Sequence, residues 1–340
     1  MVQVEYFPIS IWLRRIIYVG KNNMKILITG GAGFIGSNLV DRLMEKTENE
    51  IVVYDNLSRG RLDSIKHHIN NNRFSFIQSD LRNFQDVQNA MQGIDVVYHL
   101  GAQSNVMGAV NDPRYSFDTN VIGSFNVLQA AREQSVQRVL FSSSREVYGD
   151  ALYLPVDEFH PLGCKNPYGA SKVAGEMYCR VYQKLYGLDV IILRLSNIFG
   201  LRDYDRVIPI WIENVLRNQE LTVFGGNQII DFLPVKILVD VLFKSLTIQF
   251  DHLPINIGTG KGTAILDLAK YIIEATGSSS TIKIVEGRKA EVNSFIADVT
   301  RMTSIFNTHL DVNISTEILI MVKSLLESNI PNNNKGKPQS

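Results

Sequence analysis

The sequence predicts an α/β protein built on a doubly wound parallel sheet, with a smaller α/β lobe from its C-terminal part. Two observations carry this. Short runs rich in β-branched residues are apolar almost throughout instead of alternating, the pattern of strands buried on both faces of a sheet. Longer helical patterns separate them, and strand–helix alternation means right-handed βαβ units. The strand runs are Lys25–Thr29, Ile51–Tyr54, Phe74–Gln78, Val96–Leu100, Arg138–Ser142 and Val190–Leu195. Helical patterns occupy Ile35–Glu45, Phe84–Met91, Thr119–Gln134 and Ser171–Tyr186. After Asn197 the rhythm changes. Helices are expected over Ile208–Asn218 and Ile265–Glu274, with short strands over Thr222–Phe224 and Ile255–Ile257.

The chain has 340 residues, enough for two domains. The expected division is an N-terminal extension over 1–23, a sheet domain over 24–200, and a lobe mainly from 201–328. The chain is allowed to cross back to the sheet near 230–260, and a disordered tail covers 329–340. Apolar residues make up 45% against 20% charged, which suits a globular chain with ample core. Lys and Arg number 34, as do Asp and Glu, so the net charge is zero. That excludes a broad electrostatic grip on nucleic acid or an anionic membrane. Near the start, Arg14 and Arg15 interrupt an apolar run that begins at Tyr6, which leaves too little to span a bilayer. Two cysteines, Cys164 and Cys179, are too few for a disulfide framework or a zinc site, so no metal is expected and a reducing, cytoplasmic setting fits.

The first strand runs into glycines at 30, 33 and 36, with Phe34 and Ile35 opening the following helix. At a first βα turn this spacing lets backbone N–H groups approach a pyrophosphate at the positive end of a helix. It makes the sheet Rossmann-type, with NAD as the expected cofactor. Asp55, followed by Asn56, ends the second strand, where its carboxylate accepts the adenosine ribose hydroxyls and repels a 2′-phosphate. Arg59 tempers that preference. Asp80, followed by Leu81, ends the third strand, where it is placed to accept from the adenine amino group.

Tyr168 and Lys172 are four apart, a spacing that puts both on one helix face. An ammonium beside a phenol, with a cationic nicotinamide nearby, favours the phenolate and makes Tyr168 a base. Ser142, Ser143 and Ser144 end the fifth strand, on the edge where open α/β sheets bind ligands. His99 is expected to be a satisfied histidine at a strand end.

With these motifs in this order, the chain resembles the extended short-chain dehydrogenase/reductase family, in its nucleotide-sugar epimerase, dehydratase and decarboxylase branch. The matching residues include Thr29–Gly36, Tyr54–Leu57, His99–Ala102, Asn120 with Gly123, Ser142–Gly149, Pro167–Lys172, Leu193–Gly200 and Asn256–Gly260. The resemblance implies a catalytic set of Ser144, Tyr168 and Lys172, with Glu146 as a further candidate. It implies that Leu100, Gly101 and Ala102 line the NAD, and that Asn120 supports the active-site helix beside it. Asn197, Thr222, Phe224 and Arg288 are the implied contacts for a nucleotide-diphosphate sugar. It further implies a homodimer through a four-helix bundle made by Asn120–Gln134 and Ser171–Tyr186.

The implied activity is 4-epimerisation of the UDP-glucose/UDP-galactose type through a transient 4-keto sugar. The alternatives are a nucleotide-sugar 4,6-dehydratase, a UDP-glucuronate decarboxylase, or a catalytically silent NAD-binding sensor or scaffold. Glu146 resembles dehydratases and decarboxylases, whereas Arg145 stands where the familiar dehydratase pattern has Asp. One departure concerns substrate binding: Ile230 replaces an expected phosphate-binding Arg, which implies weaker diphosphate affinity or an unusual substrate.

Overall fold

The computed structural model describes residues 23–328. The expected tail, and all but the last residue of the expected N-terminal extension, lie outside them. The first half runs β1 (Lys25–Thr29), α1 (Phe34–Lys46), β2 (Glu50–Asp55), β3 (Phe74–Gln78), α2 (Phe84–Ala90) and β4 (Val96–His99). It continues through α3 (Val106–Asn111), α4 (Pro113–Phe117), α5 (Gly123–Glu133), β5 (Arg138–Ser144), α6 (Pro167–Tyr186) and β6 (Asp189–Leu195). The second half comprises β7 (Asn197–Phe199), α7 (Val207–Leu216), β8 (Leu221–Phe224), β9 (Ile229–Pro234), α8 (Val235–Lys244) and β10 (Ile255–Ile257). It ends with β11 (Gly262–Ala264), α9 (Ile265–Thr276), β12 (Ile282–Val285), β13 (Ser294–Phe295), α10 (Thr300–Phe306) and α11 (Ile314–Ser328).

Seven strands form one parallel sheet in the order β10-β6-β5-β4-β1-β2-β3. From β1 the chain winds first outward to β3, then back past β1 to β4 and beyond. The reversal opens a crevice above the carboxyl ends of β1 and β4, where ligands of such sheets bind. Helices bury an apolar stripe on each face. Leu39 and Leu43 of α1 pack with Leu238 and Leu242 of α8 on one side. Val127 and Ala131 of α5 pack with Cys179 and Tyr182 of α6 on the other. Each such aliphatic side chain contributes roughly 1.5–3 kcal/mol by leaving water. A separate core holds the smaller lobe, with Trp211, Ile212, Ile272, Ile318 and Met321 at its centre.

Two expectations change, and a third element is placed more closely. The helix expected over Thr119–Gln134 starts as a wide π turn at Asp118–Ile122 before α5 begins. The helix expected from Ser171 starts a turn earlier, because the Asn166 side chain caps it through Gly169 N–H and Pro167 suits its first position. The Ile255–Ile257 strand is the edge strand β10 of the main sheet, in register with Leu193–Leu195.

Candidate active site

The loop between β1 and α1 is closed to side chains. Gly30 has φ +70°, and a Cβ there would lie 2.8 Å from the backbone of Gly101. A Cβ on Gly36 would strike the Gly30 carbonyl. Gly33 N donates to that same carbonyl at 3.1 Å and caps α1. Such a cradle admits a ligand only against bare backbone, at the positive end of a helix, and so fits a pyrophosphate. Asp55 Oδ2 accepts from Ala32 N at 3.0 Å and Oδ1 from Leu57 N at 2.8 Å. Burial pushes this carboxyl up, against those two N–H bonds. Asp80 is chelated by Arg82 through Nε and Nη2, both at 2.9 Å, and takes Asn56 Nδ2 at 2.9 Å. The Arg82 hydrogen bonds hold its pKa at about 2. Gly30, Gly33, Phe34, Ile35, Gly36, Asp55, Asn56, Asp80, Leu81, Leu100, Gly101 and Ala102 all line one cleft. Its volume of about 1390 Å³ exceeds what a single small ligand needs.

Tyr168, Lys172 and Ser144 meet on the same cleft, beside the dinucleotide cradle. Ser144 is the last residue of β5, and its Oγ accepts from Glu146 N at 3.2 Å. Lys172 Nζ donates to the Ser142 carbonyl at 2.7 Å and stands 5.9 Å from the Tyr168 ring centre. Burial pushes the Lys172 pKa down to about 8. Burial also pushes the Tyr168 phenol up, with a hydrogen bond to Ser144 working against it. The expected phenolate relies on an ammonium and a cationic nicotinamide together, and without the second charge burial favours the neutral phenol. The Lys172 ammonium is turned to the Ser142 carbonyl.

Asn120 does not reach the cleft. It is buried, donates to Ser171 Oγ and to the Gln103 carbonyl, both at 2.9 Å, and accepts from Gln103 N at 2.8 Å. It ties α6 to the strand-end loop, which suits a support of the active-site helix. His99 is satisfied as expected, between Thr29 Oγ1 at 2.8 Å and Ser124 Oγ at 2.9 Å, and burial lowers its pKa to about 3.

Glu146 is engaged on both oxygens. Arg145 Nη2 reaches Oε1 at 3.0 Å, and Asn166 Nδ2 donates to Oε2 at 2.7 Å. On the lobe side the cleft is lined by Asn197, Thr222, Phe224, Ile230 and Arg288. The Arg288 guanidinium stacks 3.7 Å over the Phe224 ring and pairs with Glu291 at 2.9 Å. Ile230 is buried between Thr263 and Phe295 in the lobe's sheet, which favours an apolar residue.

Arg61, Ser104, Tyr204 and Asp205 also line the cleft and were not singled out from the sequence. Arg59, expected to temper the Asp55 preference, donates through Nε to Asp205 at 3.1 Å and through Nη1 to Ser104 Oγ at 2.5 Å. The Arg61 guanidinium lies 3.6 Å over the Tyr204 ring. The one available signal was the arginine pair two residues apart beyond Asp55. Nothing in the sequence names their partners some 140 residues on.

A family profile described as "NAD dependent epimerase/dehydratase family" matches residues 26–258. A putative UDP-glucose 4-epimerase of Methanocaldococcus jannaschii is 38% identical over 288 residues, covering 82% of this chain and 92% of that one. UDP-glucuronic acid decarboxylase 5 of Arabidopsis thaliana is 34% identical, covering 83% of each chain. Among solved structures, UDP-glucose 4-epimerase from Thermotoga maritima with UDP-glucose superposes with a TM-score of 0.84 at 30% identity, covering 90% of this chain and 99% of that one. NAD is the cofactor in the family's description, and the bare-backbone glycine cradle fits its pyrophosphate. On the sequence match, the parallel sheet and the cleft at its switch point, the chain belongs to the NAD dependent epimerase/dehydratase family.

Proposed function

We propose that the protein is a nucleotide-sugar 4-epimerase of the UDP-glucose/UDP-galactose type. The observation that carries this is the state of Glu146. Its carboxylate is buried and both its oxygens are taken, by Arg145 and Asn166. Elimination across C5 and C6 needs a free base and a free acid near the sugar. With Glu146 held, the groups left at the reacting centre are Tyr168, Ser144 and Lys172, the set that epimerisation requires. NAD, when bound, supplies reversible hydride acceptance from the sugar's C4.

Tyr168 Oη takes the proton of the C4 hydroxyl and later returns it. Ser144 Oγ donates to the C4 oxygen, steadying first the hydroxyl and then the ketone. Lys172 contributes a positive charge below pH 8, which favours the phenolate of Tyr168 once its burial cost is offset by the cationic ring. Arg288 and Asn197 hold the diphosphate, and Phe224 backs the base. The 4-keto ring turns over in the cleft before it is reduced from its other face.

UDP-glucuronate decarboxylation is the second reading, favoured by Glu146 standing beside Ser144 and by the Arabidopsis relative. Incubation with UDP-glucose, dTDP-glucose and UDP-glucuronate, read by NMR, separates the readings. A galactose-type product supports the epimerase, a pentose supports the decarboxylase, and a 4-keto-6-deoxy sugar a dehydratase. A chain that turns over none of them behaves as a silent NAD binder.

The enzyme acts as a cytoplasmic homodimer in this reading. Phe125 of α5 and Tyr178, Val181 and Leu185 of α6 form an exposed apolar face, which supports a paired bundle. Both cysteines are free, and among the described residues no helix is long and apolar enough to cross a membrane. Light scattering on Val181→Arg checks the dimer: halved mass supports it, and a wild type of monomer mass rejects it.

A further inference from the structure

Away from the cleft's reacting end, three side chains converge on one point. His67 and His68 sit in a short 3₁₀ turn, Lys66–His68, beyond the Asp55 loop. Their Nε2 atoms approach the same oxygen, Asp41 Oδ1 of α1, at 2.9 and 2.8 Å. The two rings are 4.0 Å apart between centres, and all three donor atoms lie within 4.8 Å of one another. Among the described residues, no other group of His, Cys, Asp and Glu converges in this way.

We propose that Asp41, His67 and His68 form a site for one divalent transition-metal ion of the Zn²⁺ class. Tetrahedral zinc takes nitrogen and oxygen at about 2.0–2.2 Å, which sets neighbouring ligand atoms a little over 3 Å apart. The two contacts to Asp41 Oδ1 need only a small outward adjustment to reach that. Two imidazoles and one carboxylate suit Zn²⁺, Cu²⁺ or Ni²⁺ and disfavour Mg²⁺ or Ca²⁺. His67 is about half exposed, which leaves a path from solvent and room for water as fourth ligand.

The outer partner is also present. Arg202 Nη2 holds the second oxygen, Asp41 Oδ2, at 2.6 Å, so the carboxylate is oriented with Oδ1 toward the rings. Arg202 itself lines the cleft. Next to it, the Leu201 carbonyl accepts from Asn38 of α1 at 3.4 Å. A metal on this trio would therefore join the 66–68 turn, α1 and the 201–202 corner, three segments that frame the NAD cradle.

The test uses the untagged, metal-free full chain titrated with Zn²⁺ against a chromogenic chelator. The expected result is one ion per chain, with affinity falling about tenfold or more in His67→Ala and in His68→Ala. Wild-type melting should rise with Zn²⁺, while both variants keep the metal-free wild-type melting point and gain nothing from the ion. Cys164 is the exposed thiol among the described residues, so Cys164→Ser serves as the competing variant. Zinc binding unchanged in the two histidine variants, lost only in Cys164→Ser, or absent from the wild type overturns the proposal.

Discussion

Arg145 Nε donates to Asn197 Oδ1 at 2.6 Å, fastening the turn after β5 to the first residue of β7. The same guanidinium reaches Glu146 at 3.0 Å, so one cation serves two neighbours on the cleft wall. With its oxygen occupied, the side-chain group left to Asn197 for a ligand is its amide N–H₂, a donor that suits an anion. Removing one member of a buried pair leaves a buried charge, at a cost of about 3–5 kcal/mol. Arg145→Met should lose about that much in urea unfolding and raise KM for the nucleotide sugar. The double variant Arg145→Met/Glu146→Gln should regain most of the stability.

Tyr168→Phe keeps the buried ring and deletes only the hydroxyl at the reacting end. Turnover should drop by roughly 10²–10⁴, the usual contribution of a positioned acid–base group. NAD should stay bound, measured by its absorbance after gel filtration. Undiminished turnover would remove Tyr168 from the mechanism.

Lys172 carries a pH signature in stability. Its pKa is about 8 when folded against 10.5 ordinarily, so the unfolded chain holds more protons between those values. Stability of the NAD-free protein therefore rises with pH across that window. The burial cost at pH 7 is about 3 kcal/mol. Lys172→Met should be more stable than wild type at pH 7, less the bond lost at the Ser142 carbonyl, and the advantage should vanish by about pH 10. Urea midpoints at both pH values check it.

Arg59 and Asp205 bridge two loops at the rim of the cleft through a part-exposed pair. Such a pair contributes about 0–1 kcal/mol to folding, so Asp205→Asn should leave melting nearly unchanged. As a clasp over the cofactor, its loss should speed NAD release several-fold in stopped flow. An unaltered release rate would show that the bridge does not hold the cofactor.

The parallel sheet was legible because strands buried on both faces read as unbroken apolar runs. The glycine cradle and the Tyr168–Lys172 pair were legible because their geometry is local, one turn each. Helix α8 was hidden because it follows β9 with no intervening loop, Pro234 ending the strand and capping the helix. A return to the main sheet near 230–260 was allowed for, but Ile255 and Ile257 are as apolar as either sheet requires, so the strand that makes it was not singled out. Arg145 with Asn197 and Arg59 with Asp205 are contacts across 52 and 146 residues, and only the folded chain pairs them. The Tyr168 phenol depends on burial, a property of the packed site that residue spacing does not carry.

The most direct measurement follows the hydrogen at C4. UDP-glucose deuterated at that carbon is incubated with the enzyme, and the product is read by NMR. The account predicts UDP-galactose with deuterium retained at C4 and no solvent hydrogen at C5. Deuterium found at C6 of a 4-keto-6-deoxy sugar would contradict it, as would unchanged UDP-glucose beside a pentose formed from UDP-glucuronate.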